Sequence, residues 1–535
     1  MPGPSHVWFS ASIKSNTTPV TYISAPPGRE QHTRRALPAS NGALQQRHRP
    51  VLPMSPRSAS PRSPESPRPV QSPRPMSPGS VCSSQESHGA QDAARQKVVQ
   101  RVARYMSAMQ VSDPELLRAA SPSCVLSGFG RALRDGPFEA HHLSRATTRI
   151  SAFWSHSWHG QPWKKILVLL FIYNGFPAVV LGSWAALLLL ALTSWNFLPG
   201  YAKAATLEPG TVYIFSMWGL GGGALVAGLA LLLWQPRGSI FLDRVCIHQT
   251  DENLKAQAIL SIGAFLKNSD TMLVLWDPSY VERLWCVFEL AAFLQSQEQS
   301  VNRLAIRPTF MGPIALAGCI SLVLINAQQI FVPFADRMTG NLVYWLVCMV
   351  LFTLAGQVLR SYYRSVETMK RQLAKFRFEE TKSHCCTVRH IDVISGQPLL
   401  CDRQIIRDCV CRWFGSVESF ESCVQTKVPA ALGQRLGRFA LPLHWALGIS
   451  ITNLWCGCEL IAARLREGEL YFALVVGIHA LSWSMFVPIF SLVCASALAN
   501  KLRRRRRWLW LDVLITMMGA SILCLLGLGL VTCQY

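Results

Sequence analysis

Charged residues are scarce in this chain. They make up 15% of its 535 residues, whereas half of the residues are hydrophobic, including 24 phenylalanines. A soluble protein carries more charge on its surface, so this composition favours a membrane protein. The N-terminus, MPGPSHVWFSASIKS, also lacks a basic stretch followed by an apolar run. We therefore expect no cleaved signal peptide, and insertion would start from an internal helix.

Acidic residues are the scarcer of the two charged kinds. The chain has 30 Asp and Glu against 52 Lys and Arg, which gives a net charge of +22. Much of the excess lies in the Pro/Ser/Arg-rich N-terminus and in loops beside apolar segments, where basic residues usually meet anionic lipid and set topology. We therefore expect membrane lipids as partners and no specific nucleic acid.

Seven apolar stretches are each long enough to cross a bilayer, and a count of six remains open. They lie near 166–192, 211–234, 311–333, 342–359, 439–462, 470–496 and 508–532. The loops between the pairs carry basic runs such as KLRRRRRW on one side only, so the positive-inside rule places the N-terminus and the large loops in the cytosol. We predict an integral, multi-pass, mostly α-helical membrane protein. The identity of the membrane is open.

Residues 238–310 alternate between strand-like and helix-like segments, as in a parallel sheet with crossover helices. RISAFWSHSW, before the first apolar pair, reads as a further strand. Because that pair returns the chain to the same side, we expect 148–165 and 235–310 to form one cytosolic α/β domain split by a membrane hairpin.

The other parts of the chain complete the predicted organisation. Low complexity predicts a disordered tail, and the apolar stretches are grouped as hairpins and a C-terminal bundle. The units are a tail at 1–95, a linker with short helices at 96–147, membrane hairpins at 166–234 and 311–359, a cytosolic Cys-rich subdomain at 360–438, and C-terminal transmembrane helices at 439–535.

The α/β segments resemble the TIR (Toll/interleukin-1 receptor) domain superfamily. The likeness rests on a strand ending in SHSW, on FLDRVCI, on a helix ending in KNSD, and on MLVLWDPSYVERLWCVFELAAF. Trp285, Cys286, Glu289 and Leu290 match the family's W-C-x-x-E-L helix position by position.

A second likeness concerns the segment FLDRVCIHQ. It is similar to the D-x-x-C-I-x-Q pattern of the heterokaryon-incompatibility domain, through Asp243, Cys246, Ile247 and Gln249. The membrane hairpin and the lack of a glycine-rich loop after FLDRVCI depart from the TIR pattern.

The TIR resemblance implies self-association and, in enzymatic members, cleavage of NAD at the nicotinamide–ribose bond. NAD would then be a substrate, with no cofactor required. The implied catalytic residue is Glu289, and the implied substrate-binding residues are Ser155, His156, Ser157, Trp158, Asp243 and Trp285. Alternatives are a non-catalytic scaffold and a transporter or channel that the domain regulates.

A structural role for Glu289 is the competing interpretation. A carboxylate on an apolar helix must be paired or neutralised, and the candidate partners are Arg283, Arg303 and Arg307.

The segment HCCTVRH, with Cys401, Cys409 and Cys411 downstream, holds soft ligands without the paired C-x-x-C spacing of a zinc ribbon. We therefore predict no metal site there, but amphipathic helices with buried, reduced thiols.

Two acids lie in the apolar stretches, Glu459 near the outer end of one span and Asp512 near the inner end of another. We expect both to reach water. No aligned set of acids or bases crosses the spans, which argues against a proton pump.

Overall fold

The computed structural model describes residues 82–532 except 135, 137–138, 205–211, 297–299, 332–336, 393–395 and 437–440. Residues 1–81 of the predicted tail lie outside the described residues. Its last part belongs instead to a helix that begins at Cys82. From Ala93 onward the described residues form one compact unit.

Helices dominate the structure. In chain order they are α1 (Cys82–Ser107), α2 (Pro122–Gly130), α3 (Pro162–Ser194), α4 (Trp218–Leu233), α5 (Asp243–Cys246), α6 (Glu252–Leu260), α7 (Ile262–Lys267), α8 (Leu284–Ser296), α9 (Ser300–Arg303), α10 (Met311–Phe331), α11 (Arg337–Ala374), α12 (His384–Thr387), α13 (Asp402–Phe414), α14 (Val417–Leu436), α15 (Leu443–Arg466), α16 (Leu470–Lys501) and α17 (Leu509–Thr532).

The strands form one large sheet and one hairpin. They are β1 (Arg118–Ala120), β2 (Ser144–Ala146), β3 (Ile150–His156), β4 (Tyr201–Ala204), β5 (Val212–Phe215), β6 (Ile240–Phe241), β7 (Ser269–Trp276) and β8 (Leu304–Pro308). The large sheet has the order β2-β1-β6-β3-β7-β8, and among the described residues β4 pairs only with β5.

Strand β3 is joined to strands that follow it across the α3–α4 hairpin. It pairs in parallel with β6 and with β7, for example Ser155 with Val274. Strand β8 continues the parallel set beyond β7. The predicted pairing of an early strand with later ones across the hairpin is therefore present.

The sheet is mixed, because β1 pairs antiparallel with both of its neighbours. Strands β1 and β2 come from the segment 96–147, which the sequence indicated as a linker. Each has only three residues, RAA and SRA, and such short strands show no readable alternation.

The segment 360–438 packs onto the sheet domain instead of forming a core of its own. In α13, the Trp413 ring lies 5.6 Å from the Phe288 ring of α8, and its indole donates to the Ser107 carbonyl of α1 at 3.0 Å. The hydrophobic residues of this segment belong to the same buried cluster as those of β3 and β7. One core therefore spans α1, the sheet and α13.

Among the residues that the structure describes, five helices are long and apolar enough to cross a membrane. They are Pro162–Ser194, Met311–Gln328, Trp345–Ala374, Leu443–Arg466 and Leu470–Lys501. Large apolar side chains point outward from them, including Phe176 at 80% exposure and Phe486 at 72%. Such faces are expected where lipid replaces water.

One of the seven predicted spans is shorter than expected. The stretch 211–234 divides into β5 and the 16-residue helix α4. The last predicted span, 508–532, corresponds to α17 (Leu509–Thr532).

Glu459 and Asp512 are both buried, so the expectation that they reach water is wrong. Glu459, 2% exposed, accepts hydrogen bonds from Ser216 and from the backbone amides of Gly219, at 2.5 Å, and Leu220, at 3.1 Å. It therefore caps α4, whose own N-cap residue, Met217, has no side-chain oxygen.

Asp512 forms a buried ion pair with Arg360 of α11. Arg360 Nη2 lies 2.6 Å from Asp512 Oδ1, and the side chains are 2% and 8% exposed. Arg360 also donates to Thr516 Oγ1 at 2.6 Å and to the Leu502 carbonyl at 2.8 Å. The pair joins α11 to α17 with its donors satisfied by neighbours.

We predict that Asp512→Asn lowers the free energy of unfolding by about 3 kcal/mol, because Arg360 would remain buried without its counter-charge. Chemical unfolding in detergent micelles measures the change. The control, Glu367→Gln, removes the exposed pair with Arg503, whose side chains are 39% and 36% exposed. This control variant should lower the free energy of unfolding by less than about 1 kcal/mol. Equal effects of the two variants would contradict the prediction.

Candidate functional site

The carboxyl group of Glu289 is hydrogen-bonded to Ser155, near the carboxyl end of β3. Ser155 Oγ donates to Glu289 Oε2 at 2.5 Å and lies 2.7 Å from the hydroxyl of Tyr280. Because Ser155 uses its only hydroxyl proton in the hydrogen bond to Glu289, the hydroxyl of Tyr280 donates to Ser155. These three residues form a hydrogen-bonded chain from a fully buried phenol to a half-buried acid.

Glu289 makes no ion pair with an arginine in the described parts of the chain. Arg283, the nearest of the predicted partners in sequence, donates instead to His159 Nδ1 at 3.1 Å. The geometry therefore differs from the structural interpretation, in which an arginine neutralises Glu289.

Burial raises the pKa of Glu289 to about 8. The hydrogen bond from Ser155 and the charge of Arg283 act in the opposite direction, while the charge of Asp243 raises the pKa further. The acid is therefore mostly protonated at neutral pH. Carboxyls with such raised pKa values are common at functional sites.

The remaining predicted residues of β3 and the loop after it gather at the same sheet edge. The Trp158 indole donates to Asp243 Oδ2 at 2.8 Å, and its ring lies 4.4 Å from that of His156 in an edge contact. Burial, with help from Lys165 and Arg283, lowers the pKa of His156 well below its usual value, so this imidazole is neutral. Ser157 is fully buried and lies 2.7 Å from Ser279 Oγ.

Trp285 lies elsewhere. Its side chain is 9% exposed, its indole donates to Asp402 Oδ2 at 3.3 Å, and its ring contacts Phe288 edge-on. It therefore faces α13 and offers no stacking face beside Glu289. Its neighbour Cys286 points the other way, toward the His156 carbonyl at 3.5 Å.

Several residues of this sheet edge were not predicted. Asp277 directly follows β7, and its Oδ1 accepts from the Ser279 amide at 2.8 Å. Lys165, fully buried at the start of α3, donates to the Ser157 carbonyl at 2.5 Å. A rule that looks for polar residues at the carboxyl ends of buried parallel strands would have found Asp277.

Two buried polar atoms at this edge lack a hydrogen-bond partner among the described residues. They are His156 Nε2 and Asp277 Oδ2. Buried polar atoms of this kind are nearly always satisfied by protein, water or ligand.

A separate groove lies beside the entry to α8. It encloses about 460 Å³ and is lined by Val281, Glu282, Thr368, Arg371, Gln372, Lys375, Phe376, Arg377, Glu380 and Lys382. None of the predicted site residues lines it.

No protein-family model, curated protein or solved structure matches this chain. Function is therefore inferred from the residues of the site itself.

We predict that Glu289 makes stability decrease with rising pH. Between its ordinary pKa of 4.5 and about 8 the folded chain keeps a proton that the unfolded chain has released. Stability should therefore fall across that window, by at most about 1.4 kcal/mol per pH unit. Glu289→Gln should remove this part of the pH dependence of the Tm, and the surface variant Glu282→Gln should keep it. Parallel curves for Glu289→Gln and the wild type would contradict the assigned pKa.

Gly160 is the second testable position. A Cβ at this residue would collide with the Asp277 carboxylate, so the loop after β3 passes close to the end of β7 only because it has a glycine there. We expect Gly160→Ala to destabilise the protein by about 1–3 kcal/mol. Thermal unfolding checks this against Gly228→Ala, where a Cβ meets open space. A Tm for Gly160→Ala at or above that of the control would show that the approach is not tight.

Proposed function

We propose that this chain is a membrane-tethered signalling protein whose cytosolic TIR-like domain self-associates and cleaves NAD at the nicotinamide–ribose bond. Glu289 is the proposed catalytic residue, and it acts as a carboxylate. The observation that carries the proposal is the hydrogen bond between Ser155 and Glu289. It holds the half-buried Glu289 carboxyl, which has no ion pair with an arginine among the described residues, at the carboxyl end of the first parallel strand.

The sheet topology supports a ligand site at this place. Taken in chain order, the parallel strands β3, β6, β7 and β8 lie in the spatial order 2-1-3-4. In open α/β sheets of this kind ligands bind outside the carboxyl ends of the strands, where the strand order reverses. That point lies between β3 and β7, where Ser155, His156 and Asp277 are found.

The reaction needs a negative charge beside the ribose. When the bond between C1′ and the nicotinamide nitrogen breaks, its electron pair leaves with nicotinamide and positive charge develops on the sugar. A carboxylate stabilises that charge, and water then adds its oxygen to C1′ and releases a proton. The cationic nicotinamide ring of bound NAD would itself favour the ionised form of Glu289.

The spans are proposed to act as a tether. Glu459 caps a helix and Asp512 pairs with Arg360, so both embedded acids have structural partners. Ionisable groups on a transport path must exchange ions or protons with water. These contacts favour anchoring over the transporter or channel alternative.

The test is release of nicotinamide from NAD by the full chain in nanodiscs, at high protein density. Glu289→Gln should reduce the rate by about 100-fold or more, the size expected when one electrostatic contact to a transition state is lost. Glu282→Gln, on the turn before α8, should leave it unchanged. The wild-type kcat/KM should rise with pH toward about 8 as Glu289 loses its proton.

No release by an assembled, folded wild-type chain would contradict the enzymatic proposal. Chemical crosslinking in the same nanodiscs then decides between the remaining alternatives. Crosslinked oligomers would indicate a non-catalytic assembly module, and their absence would contradict self-association as well.

A further inference from the structure

Four metal-ligating side chains converge between α11 and α13, in the segment for which the sequence predicted no metal. The ligand atoms of Cys385, Cys386, His390 and Cys401 all lie within 4.8 Å of one another. Cys385 is buried and the other three are half-buried. We propose that these residues bind one zinc ion in a structural site.

The three distances from the Cys386 sulfur fit a tetrahedron around zinc. With Zn–S near 2.3 Å and Zn–N near 2.0–2.1 Å, two sulfurs should lie about 3.8 Å apart and a sulfur and a nitrogen about 3.6 Å apart. Cys386 Sγ lies 3.9 Å from the sulfurs of both Cys385 and Cys401. It lies 3.6 Å from His390 Nε2.

Disulfide bonding does not explain the cluster. A disulfide requires sulfurs about 2.05 Å apart, far closer than these pairs. All three cysteines have free thiols in the structure. Three thiols and an imidazole, with oxygen absent from the set, are the donor types that select zinc over magnesium or calcium.

The backbone turns His390 back toward the cysteines. Arg389 and His390 adopt left-handed conformations with φ of 55° and 61°, which non-glycine residues rarely do. The turn is held by hydrogen bonds from the His390 amide to the Cys385 carbonyl, 2.7 Å, and from the Leu399 amide to the His390 carbonyl, 2.8 Å. An unfavourable backbone held in this way is typical of ligand sites.

A second layer of contacts supports the ligands and reaches α8. The Asp402 amide donates to Cys385 Sγ at 3.3 Å, and Ser383 Oγ lies 3.0 Å from the same sulfur. Such outer contacts orient metal ligands. The Asp402 carboxylate in turn accepts from the Trp285 indole, so the proposed zinc site braces the helix that carries Glu289.

The cluster escaped sequence analysis because its spacing is irregular. Two ligands are adjacent, three residues separate Cys386 from His390, and ten separate His390 from Cys401. Paired C-x-x-C knuckles are absent from this set, and only the fold brings Cys401 back to the others.

The experiment is elemental analysis of the full chain, purified in nanodiscs with reductant and without chelator. One zinc per chain is expected. Cobalt added to chelator-treated protein should give the thiolate charge-transfer and intense d–d bands of a tetrahedral site, and zinc should displace it. Removal of zinc should also speed amide hydrogen exchange in 284–296, and zinc addition should restore protection.

Cys401→Ser should lower the bound metal by at least about tenfold, since one ligand is lost. Cys411→Ser, a half-buried thiol in α13 outside the cluster, is the matched control and should bind like the wild type. The wild-type measurements stand even where Cys401→Ser fails to fold. A folded wild-type chain with no bound zinc and no tetrahedral cobalt spectrum, or a Cys386–Cys401 disulfide in the freshly reduced and purified protein, would overturn the proposal. Neither result depends on NAD cleavage.

Discussion

The hydrogen bond from Ser155 to Glu289 is the contact that positions the Glu289 carboxyl against the sheet. It joins the end of β3, before the α3–α4 hairpin, to the middle of α8, after the hairpin and two further strands. A buried acid on an apolar helix is costly without a partner. Ser155 supplies that partner, and the hydroxyl of Tyr280 is hydrogen-bonded to Ser155 in turn. The contact therefore fixes the helix in register against the strand.

The side chains of the three residues that define the W-C-x-x-E motif contact different parts of the structure. Cys286 and Glu289 contact the carboxyl end of β3, whereas Trp285 donates to Asp402 at the start of α13. The helix is thereby held between the sheet and the segment that carries the proposed zinc site. If that proposal holds, the metal and the sheet together determine where the Glu289 carboxyl lies.

Much of this arrangement could be predicted from the sequence, because it depends on local pattern. The buried run of β7, the apolar helix α8 and the polar end of β3 are readable from residue types alone. What could not be predicted depends on distant contacts. The three-residue strands β1 and β2 have no pattern of their own. The helical period would place Trp285 on the same face as Glu289, yet its indole donates to Asp402, over a hundred residues away.

The two acids in the apolar helices, Glu459 and Asp512, also depend on distant contacts. Position along a span suggested that Glu459 and Asp512 reach water, but packing with α4 and α11 buries both. Hydropathy also overestimated the spans, because β5 and α4 together read as one continuous apolar stretch. Helix length and partner contacts are tertiary properties that a linear profile does not contain.

The most direct test of the account is a double-mutant cycle on the free energy of unfolding, with Ser155→Ala, Glu289→Ala and the double variant in the full chain. A direct hydrogen bond predicts that the two changes are non-additive by about 1 kcal/mol or more. Additive effects, within about 0.3 kcal/mol, would contradict a direct contact between Ser155 of β3 and Glu289 of α8.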